Sequence, residues 1–301
     1  MKLPVLAKDT PKRLRPTLTD AFIGLFLLFF ILTILYPLWY LLMLSLSTFG
    51  GISSAPNPFM FLPAGFTFSA YLDIFKSPYI QSGYLVTLFR TVIGTPLSVL
   101  CMSLAAYSLS KTNLPGRRFF NGFFLVNMFI QGGLIPTYLM IKELNLLDNI
   151  WLLVLLPLFN TYYMIILRSF FQTLPPSLEE AARIDGASEL QSFFRIVLPL
   201  SRPSLIAVGT WVFFTHWNSW FDSQLYFSSM NKQVVLVQIR RLVIEQSNLL
   251  LAGMTSGKAD LPTEDSIQAA GIMVTILPVL IIYPFVKKYF AEGMTLGAVK
   301  E

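Results

Sequence analysis

The feature that most constrains this chain is a series of six long runs with almost no charge, separated by shorter segments that hold nearly all of the charged residues. The first, Ala21 to Leu44, contains no charged side chain in 24 residues. About 20 apolar residues in helical form already cross a hydrocarbon core of about 30 Å. The other runs extend roughly over Tyr84 to Leu109, Phe119 to Ile141, Ile150 to Leu167, Ser204 to Phe221 and Ile267 to Val286. Of the 301 residues, 54% are hydrophobic and 13% charged, against about 25% charged in an ordinary soluble domain. A water-soluble fold of this size would have to hide more apolar surface than it can. The expected fold is therefore an all-α polytopic membrane protein with six transmembrane helices. The net charge of +6 is bunched between apolar runs, which is not the pattern of a nucleic-acid binder. Cys101 is the single cysteine and forms no intrachain disulfide.

Six crossings place both termini on one side. Of the 22 Lys and Arg residues, 15 lie in the N-terminus, in Ser110 to Arg118, in Arg168 to Arg202 and in the C-terminus, so the positive-inside rule makes these segments cytoplasmic. The basic stretch Lys2, Lys8, Lys12, Arg13 and Arg15 has the character of a signal-peptide n-region, but the apolar run after it exceeds the usual about 7 to 15 residues, and a retained first helix is expected. The organisation that follows is a cytoplasmic segment over 1–20, a transmembrane domain over 21–290, a cytoplasmic loop over 174–203, a long extracytoplasmic loop over 221–265 and a cytoplasmic tail over 291–301. Within the long loop, Val234 to Ile244 suits a short strand or helix, with turns marked by Asn231, Gly253 and residues 257–262. Arg90 lies early in the second run, where snorkelling toward the outer headgroups is favoured over a role in a water-filled path. Gly132 and Gly133 in the third run and Gly94 in the second suit close helix approach.

The cytoplasmic loop reads as a helix-turn-helix. Pro175 and Pro176 end the preceding geometry, Ser177 and Glu180 have capping-box spacing, and a helix is expected over Leu178 to Ile184. Gly186 supplies the positive φ that stops it. Ser188 and Gln191 repeat the capping spacing, and Leu190, Phe193, Phe194 and Val197 then share an apolar face before Pro199. The first helix carries small Ala181 and Ala182 amid Glu179, Glu180, Arg183 and Asp185. Such a surface suits docking of a soluble partner, or else an amphipathic hairpin lying on the inner leaflet.

No phosphate-cradling loop is present, since the Gly257-Lys258 pair follows Met254-Thr255-Ser256 and precedes Ala259. His216 has no Cys, His or acidic cluster near it in sequence, so neither a metal site nor a nucleophile is expected, and a buried histidine satisfied by hydrogen bonds is the favoured reading. Asp222 lies within reach of it across a turn. Trp211, His216, Trp217, Asn218, Trp220 and Asp222 gather at the outer half of the fifth run. Aromatic faces with Asn and Asp suit a path for sugars; the alternative is an aromatic belt at the outer interface. The path reading rests on Asn218 more than on the tryptophans.

Glu180, Ala181, Ala182 and Gly186, followed by Ile196, Leu198 and Pro199, form a pattern that resembles the EAA loop of inner-membrane permease subunits of binding-protein-dependent ABC importers. The string EEAARIDGAS is similar to the carbohydrate-uptake, MalG-like branch, and THWNSWFD (Thr215 to Asp222) with the tail EGMTLGAVKE (Glu292 to Glu301) resembles its LplC subgroup. The resemblance implies the type I ABC importer permease (MetI/MalG-like) fold in a bacterial cytoplasmic membrane. It implies that Glu180 anchors a coupling helix on an ATPase, with Ala181 and Ala182 at the packed face and Gly186 at the turn. It also implies a second permease subunit, two cytoplasmic ATPase subunits that bind ATP and Mg, an extracytoplasmic binding protein touching the 221–265 loop, and an oligosaccharide cargo. No cofactor is expected in this chain itself.

Overall fold

The computed structural model describes residues 18–54, 59–130, 132–251 and 263–298. Among the described residues the regular structure is helical, apart from an isolated antiparallel bridge between Ser47 and Phe66. The basic stretch from Lys2 to Arg15 and the turns assigned to Gly253 and 257–262 lie outside them.

Helix α1 (Leu18–Ser45) covers the first apolar run, and its most apolar window has a mean hydropathy of 2.5. Its side chains are almost all exposed within this chain, with only Met43, Leu44 and Ser45 buried at its end. Exposed apolar surface on that scale is lipid-facing or covered by another subunit. Two short helices follow, α2 (Phe49–Ser54) and α3 (Ser69–Lys76). Helix α4 (Pro78–Ser110) is the central column, started by Pro78 in the first turn, where its missing N–H costs nothing. One side of α4 carries buried Gly83, Thr87, Gly94, Ser98 and Ala106, small residues that let neighbouring backbones approach.

The third and fourth apolar runs are not single helices. The third divides into α5 (Arg117–Phe129) and α6 (Leu134–Glu143), and Gly133 at the break has φ of +81°. A Cβ on Gly132 or Gly133 would meet nothing within 4 Å, so these glycines turn the chain here and do not mediate close packing within it. The fourth divides into α7 (Leu152–Leu155) and α8 (Thr161–Phe171). Pro157 has no N–H for the helical ladder, and the Asn160 side chain accepts from the Tyr162 and Tyr163 amides at 2.9 and 3.3 Å, capping a new helix. The segment over 174–203 contains α9 (Pro176–Ile184), α10 (Glu189–Ser192), a π-helical turn over Phe193–Val197 and α11 (Leu198–Leu200). Helix α12 (Arg202–Asn218) then leaves at 83° to the Glu189–Leu200 segment. The chain ends with α13 (Phe221–Tyr226), a 3₁₀ turn at Met230–Lys232, α14 (Val235–Leu251) and α15 (Glu264–Ala298). Helix α15 continues through 291–298, so the C-terminal tail is not separated from the last helix. Among the described residues two helices, α1 and α4, are each long and apolar enough to cross a membrane, and up to four spans result when each of two bent pairs counts as one.

Helices α8, α12 and α14 all pack on α4. Along its C-terminal half, Met102, Ala106, Met164, Leu167, Phe193, Val208 and Val212 form one buried core. Along the N-terminal half of α4, α14 is helical where the sequence allowed strand or helix, and Gly83 is the reason it fits: a Cβ there would stand 3.0 Å from the Val235 Cα. The first amides of α14 are satisfied from neighbouring elements. Val235 N–H donates to Thr87 Oγ1 and Val234 N–H to Ser223 Oγ, both at 3.0 Å.

Asp148, with φ of +58°, staples the 144–149 turn to the segment after α13. Its carboxylate accepts from the Ser228 and Ser229 amides and from the Ser229 hydroxyl, all at 3.1 Å. The Ser229 amide bond holds this carboxyl below the usual aspartate range, so the staple is charged from neutral into mildly acidic pH. Asp148→Ala is expected to speed amide exchange at Ser228 and Ser229 about tenfold at pH 7, read by hydrogen-exchange mass spectrometry. Unchanged exchange would refute the staple.

Candidate coupling and translocation site

Helix α9 begins two residues earlier than the capping pattern predicts. Pro175 is extended and Pro176 occupies the first turn, so Ser177 lies inside the helix and makes no cap bond. Its end agrees with the sequence. Gly186 has φ of +84°, and the Gly186 and Ala187 amides donate to the Arg183 and Ala182 carbonyls at 3.1 and 2.9 Å. The second capping box is present: Ser188 N–H donates to Gln191 Oε1 at 2.9 Å, and Gln191 N–H to Ser188 Oγ at 3.3 Å. Beyond it the expected four-residue apolar face splits, with Phe193 and Val197 buried but Leu190 and Phe194 exposed. The π turn has a different period from the α-helix and rotates these positions out of register.

The two faces of α9 differ. Ala182 is buried and Glu179 half-buried, whereas Glu180, Ala181, Arg183, Asp185 and Gly186 are exposed, and Ile184 is 86% exposed. The paired alanines are therefore not both packed within this chain, since successive helical positions point about 100° apart. The inner face is clamped by residues that sequence reasoning did not single out. Lys111, which caps α4, forms ion pairs with Glu179 and, at 3.7 Å, with Glu189. The Tyr107 hydroxyl lies 3.2 and 3.0 Å from the same two carboxylates, the Lys111 ammonium sits 4.2 Å from the Tyr107 ring centre, and Arg183 pairs with Glu189 at 2.6 Å. Burial depresses the Lys111 pKa, opposed by Glu189. Desolvation raises that of Glu189, but the Tyr107 and Arg183 hydrogen bonds and the Lys111 charge outweigh it and hold the carboxyl low. The Glu189 carboxyl thus stays ionised at neutral pH. A cavity of about 470 Å³ opens beside it, lined by Lys111, Asn113, Pro176, Glu179, Glu180 and Arg183 among others.

In the N-terminal half of α4, Arg90 is 1% exposed and does not snorkel. A nearby carboxylate overrides the headgroup option: its guanidinium binds Asp222 in a bidentate pair, one arm at 3.0 Å, and donates to the Ser219 carbonyl at 3.1 Å. Arg90 Nε donates to His216 Nδ1 at 3.4 Å, and His216 Nε2 lies 3.5 Å from Ser98 Oγ. His216 is fully buried and hydrogen-bonded, as the sequence reading favours, and Arg90 is what joins it to Asp222. The Ser219 hydroxyl and Ser223 amide donate to Asp222 at 3.0 and 2.9 Å. This set pins α4 to the C-terminal end of α12 and the first turn of α13.

The other residues assigned to a path divide. Trp217 is buried, donates its indole N–H to the Thr275 carbonyl at 3.2 Å and stacks on Phe213. Trp211 is part-exposed and stacks on Tyr163, and Asn218 is exposed. His216, Trp217 and Asp222 therefore knit helices together, and Trp211 and Asn218 remain on the surface of this chain. Gly94 makes the packing of His216 possible, because a Cβ there would stand 2.6 Å from the imidazole Cε1. Gly94→Ala is expected to cost about 1–3 kcal/mol through overpacking, read as a lower melting temperature in detergent. An unchanged melting temperature would mean the ring moves aside freely.

Residues 83–295 match the family described as the binding-protein-dependent transport system inner membrane component. The chain is 39% identical over 283 residues to the polygalacturonan/rhamnogalacturonan transport system permease protein YtcP of Bacillus subtilis (strain 168), covering 94% of this chain and 98% of that protein. It is 37% identical over 246 residues to the protein LplC of the same organism, covering 82% and 83% respectively. Among solved structures, it resembles a chain of a bacterial ABC transporter involved in the import of the acidic polysaccharide alginate, with a TM-score of 0.81 and 29% identity over 91% of this chain and 98% of the other.

Proposed function

From the premise that this chain belongs to the family of binding-protein-dependent transport system inner membrane components, we propose that it forms one half of the translocation pathway of a bacterial oligosaccharide importer. The chain is an all-α, multi-pass permease subunit of the inner membrane and supplies no catalytic group of its own. We read its six apolar runs as six crossings with both termini cytoplasmic, two of them broken, and the domain limits as 21–290 with a cytoplasmic loop over 174–203 and an extracytoplasmic loop over 221–265. Its partners in this reading are a second permease, two ATPase subunits that bind ATP and Mg, and an extracytoplasmic binding protein.

The observation that carries the reading is α9. Its outer face is left open while its inner face is clamped by ion pairs to the end of α4. An ATPase subunit gripping Glu180, Ala181, Arg183, Ile184 and Asp185 would therefore move α4 directly. Helix α4 also carries Arg90, which holds the outer ends of α12 and α13. A displacement at the cytoplasmic clamp is transmitted along one continuous helix to the outer half, where Trp211 and Asn218 face out of this chain toward the second permease. ATP binding closes the ATPase dimer and opens the cavity outward; hydrolysis returns it.

The oligosaccharide cargo is supported by the names of the relatives and of the solved transporter. The test is ATP hydrolysis by the complex assembled from this chain and its encoded neighbours, measured with the binding protein and a panel of neutral and acidic oligosaccharides. Stimulation confined to one sugar class is expected. A stable complex indifferent to every sugar would overturn the cargo.

A further inference from the structure

A cavity of about 410 Å³ lies beside α13 and α14, lined by Gln224, Val237, Arg240, Arg241 and Ile244. Its volume falls in the range of small-molecule sites, about 300–1,000 Å³. We infer that this cavity is a carboxylate-binding subsite for acidic oligosaccharides, a uronate unit being the ligand that fits it. The inference rests on the oligosaccharide reading above.

Two guanidiniums adjacent in sequence line one small cavity, and among the described residues neither has a carboxylate partner. Arg240 is exposed and sits with its guanidinium carbon 4.8 Å from the Trp220 ring centre. Arg241 donates through Nη2 to Gln233 Oε1 at 2.9 Å, and its Nη1 is buried without a partner among the described residues. A buried guanidinium nitrogen without an acceptor is costly. Arg241 is half-buried, and two cations lining one cavity repel, a repulsion that a bound anion relieves.

The chemistry selects among anions. A guanidinium matches a planar carboxylate with two parallel hydrogen bonds. Gln224 can bond both donors and acceptors among sugar hydroxyls, and Val237 and Ile244 offer apolar surface to the C–H face of a ring. A phosphate would satisfy the guanidiniums equally, but it would leave this apolar side without purpose. A carboxylate side chain of the docked binding protein is the macromolecular alternative.

The experiment uses the assembled transporter in lipid nanodiscs, trapped with vanadate, and titrates it with trigalacturonate, with fully methyl-esterified trigalacturonate and with inorganic phosphate. Wild type is expected to bind the acid at least tenfold more tightly than the ester. The double variant Arg240→Gln/Arg241→Gln is expected to lose that preference while keeping its affinity for the ester and for the binding protein. The Arg240→Lys/Arg241→Lys variant should retain part of it, which separates lost charge from lost packing. A preference that survives the double Gln variant overturns the inference, as does absent binding of the acid by wild type or phosphate binding as tight as that of the acid. Weakened binding-protein affinity in the variant would assign the arginines to docking and also overturn it. If wild type takes up neutral oligosaccharides without discriminating at this cavity, only this inference fails. If no oligosaccharide stimulates the wild-type complex, the proposed function fails with it.

Discussion

Asp222→Ala or Arg90→Ala is expected to destabilise the permease by about 3–5 kcal/mol, the largest loss from any single substitution considered, because each leaves one buried charge without its partner. The Arg90 side chain is 1% exposed and Asp222 13%, and the guanidinium also serves His216 and the Ser219 carbonyl. Removing the carboxylate strands the guanidinium among apolar helices; removing the guanidinium strands the carboxylate and a histidine nitrogen. Both variants should lose yield and melt at markedly lower temperature in detergent. The double variant Arg90→Met/Asp222→Leu should recover much of that stability, since a well-packed apolar pair avoids the desolvation cost. If the ionic pair also carries the movement of α4 to α12, the recovered double variant will still transport poorly. Equal stability of both single variants with wild type would mean that water reaches the site.

The second large effect is expected at the open face of α9. Ile184→Asp places a charge on a side chain that is 86% exposed and touches little of its own chain, so the fold should be unaffected, with a change in stability within about 0.5 kcal/mol. In the proposed complex with the ATPase the same residue would become a buried apolar contact, where a lone carboxylate is disfavoured by several kcal/mol. Substrate-stimulated ATP hydrolysis and uptake should fall at least tenfold, while the purified permease melts as wild type does. Gly186→Val acts differently. It forces a β-branched residue to φ of +84° and should lower both stability and coupling. Wild-type uptake from Ile184→Asp would remove α9 from the contact with the ATPase.

The membrane class was legible because it is written in long stretches, and 24 uncharged residues from Ala21 to Leu44 leave few alternatives to a crossing helix. The turn at Gly186 and the capping box at Ser188 were legible because each depends on a few adjacent residues. The breaks at Gly133 and Pro157 were missed because apolarity alone does not report whether a run is one helix or two. Arg90 was misplaced for a different reason: its partner Asp222 lies 132 positions away, and without that partner snorkelling is the cheaper solution. Lys111 and Tyr107 were overlooked on the same ground, since Glu179 and Glu189 are neighbours only in space. A lysine capping a helix that ends in a cytoplasmic loop, facing a loop with unpaired glutamates, was the signal available. The path residues divided because aromatic clustering in sequence does not distinguish a helix-packing tryptophan such as Trp217 from a surface one such as Trp211.

The most direct test of the central claim is uptake of a labelled oligosaccharide into proteoliposomes that contain this chain with its partner permease and ATPase, with binding protein outside and ATP inside. The account predicts uptake that requires both ATP and the binding protein, and that is lost in Ile184→Asp although the complex still melts as wild type does. Uptake of no oligosaccharide by an intact, ATP-hydrolysing wild-type complex, or uptake unchanged in Ile184→Asp, would contradict it.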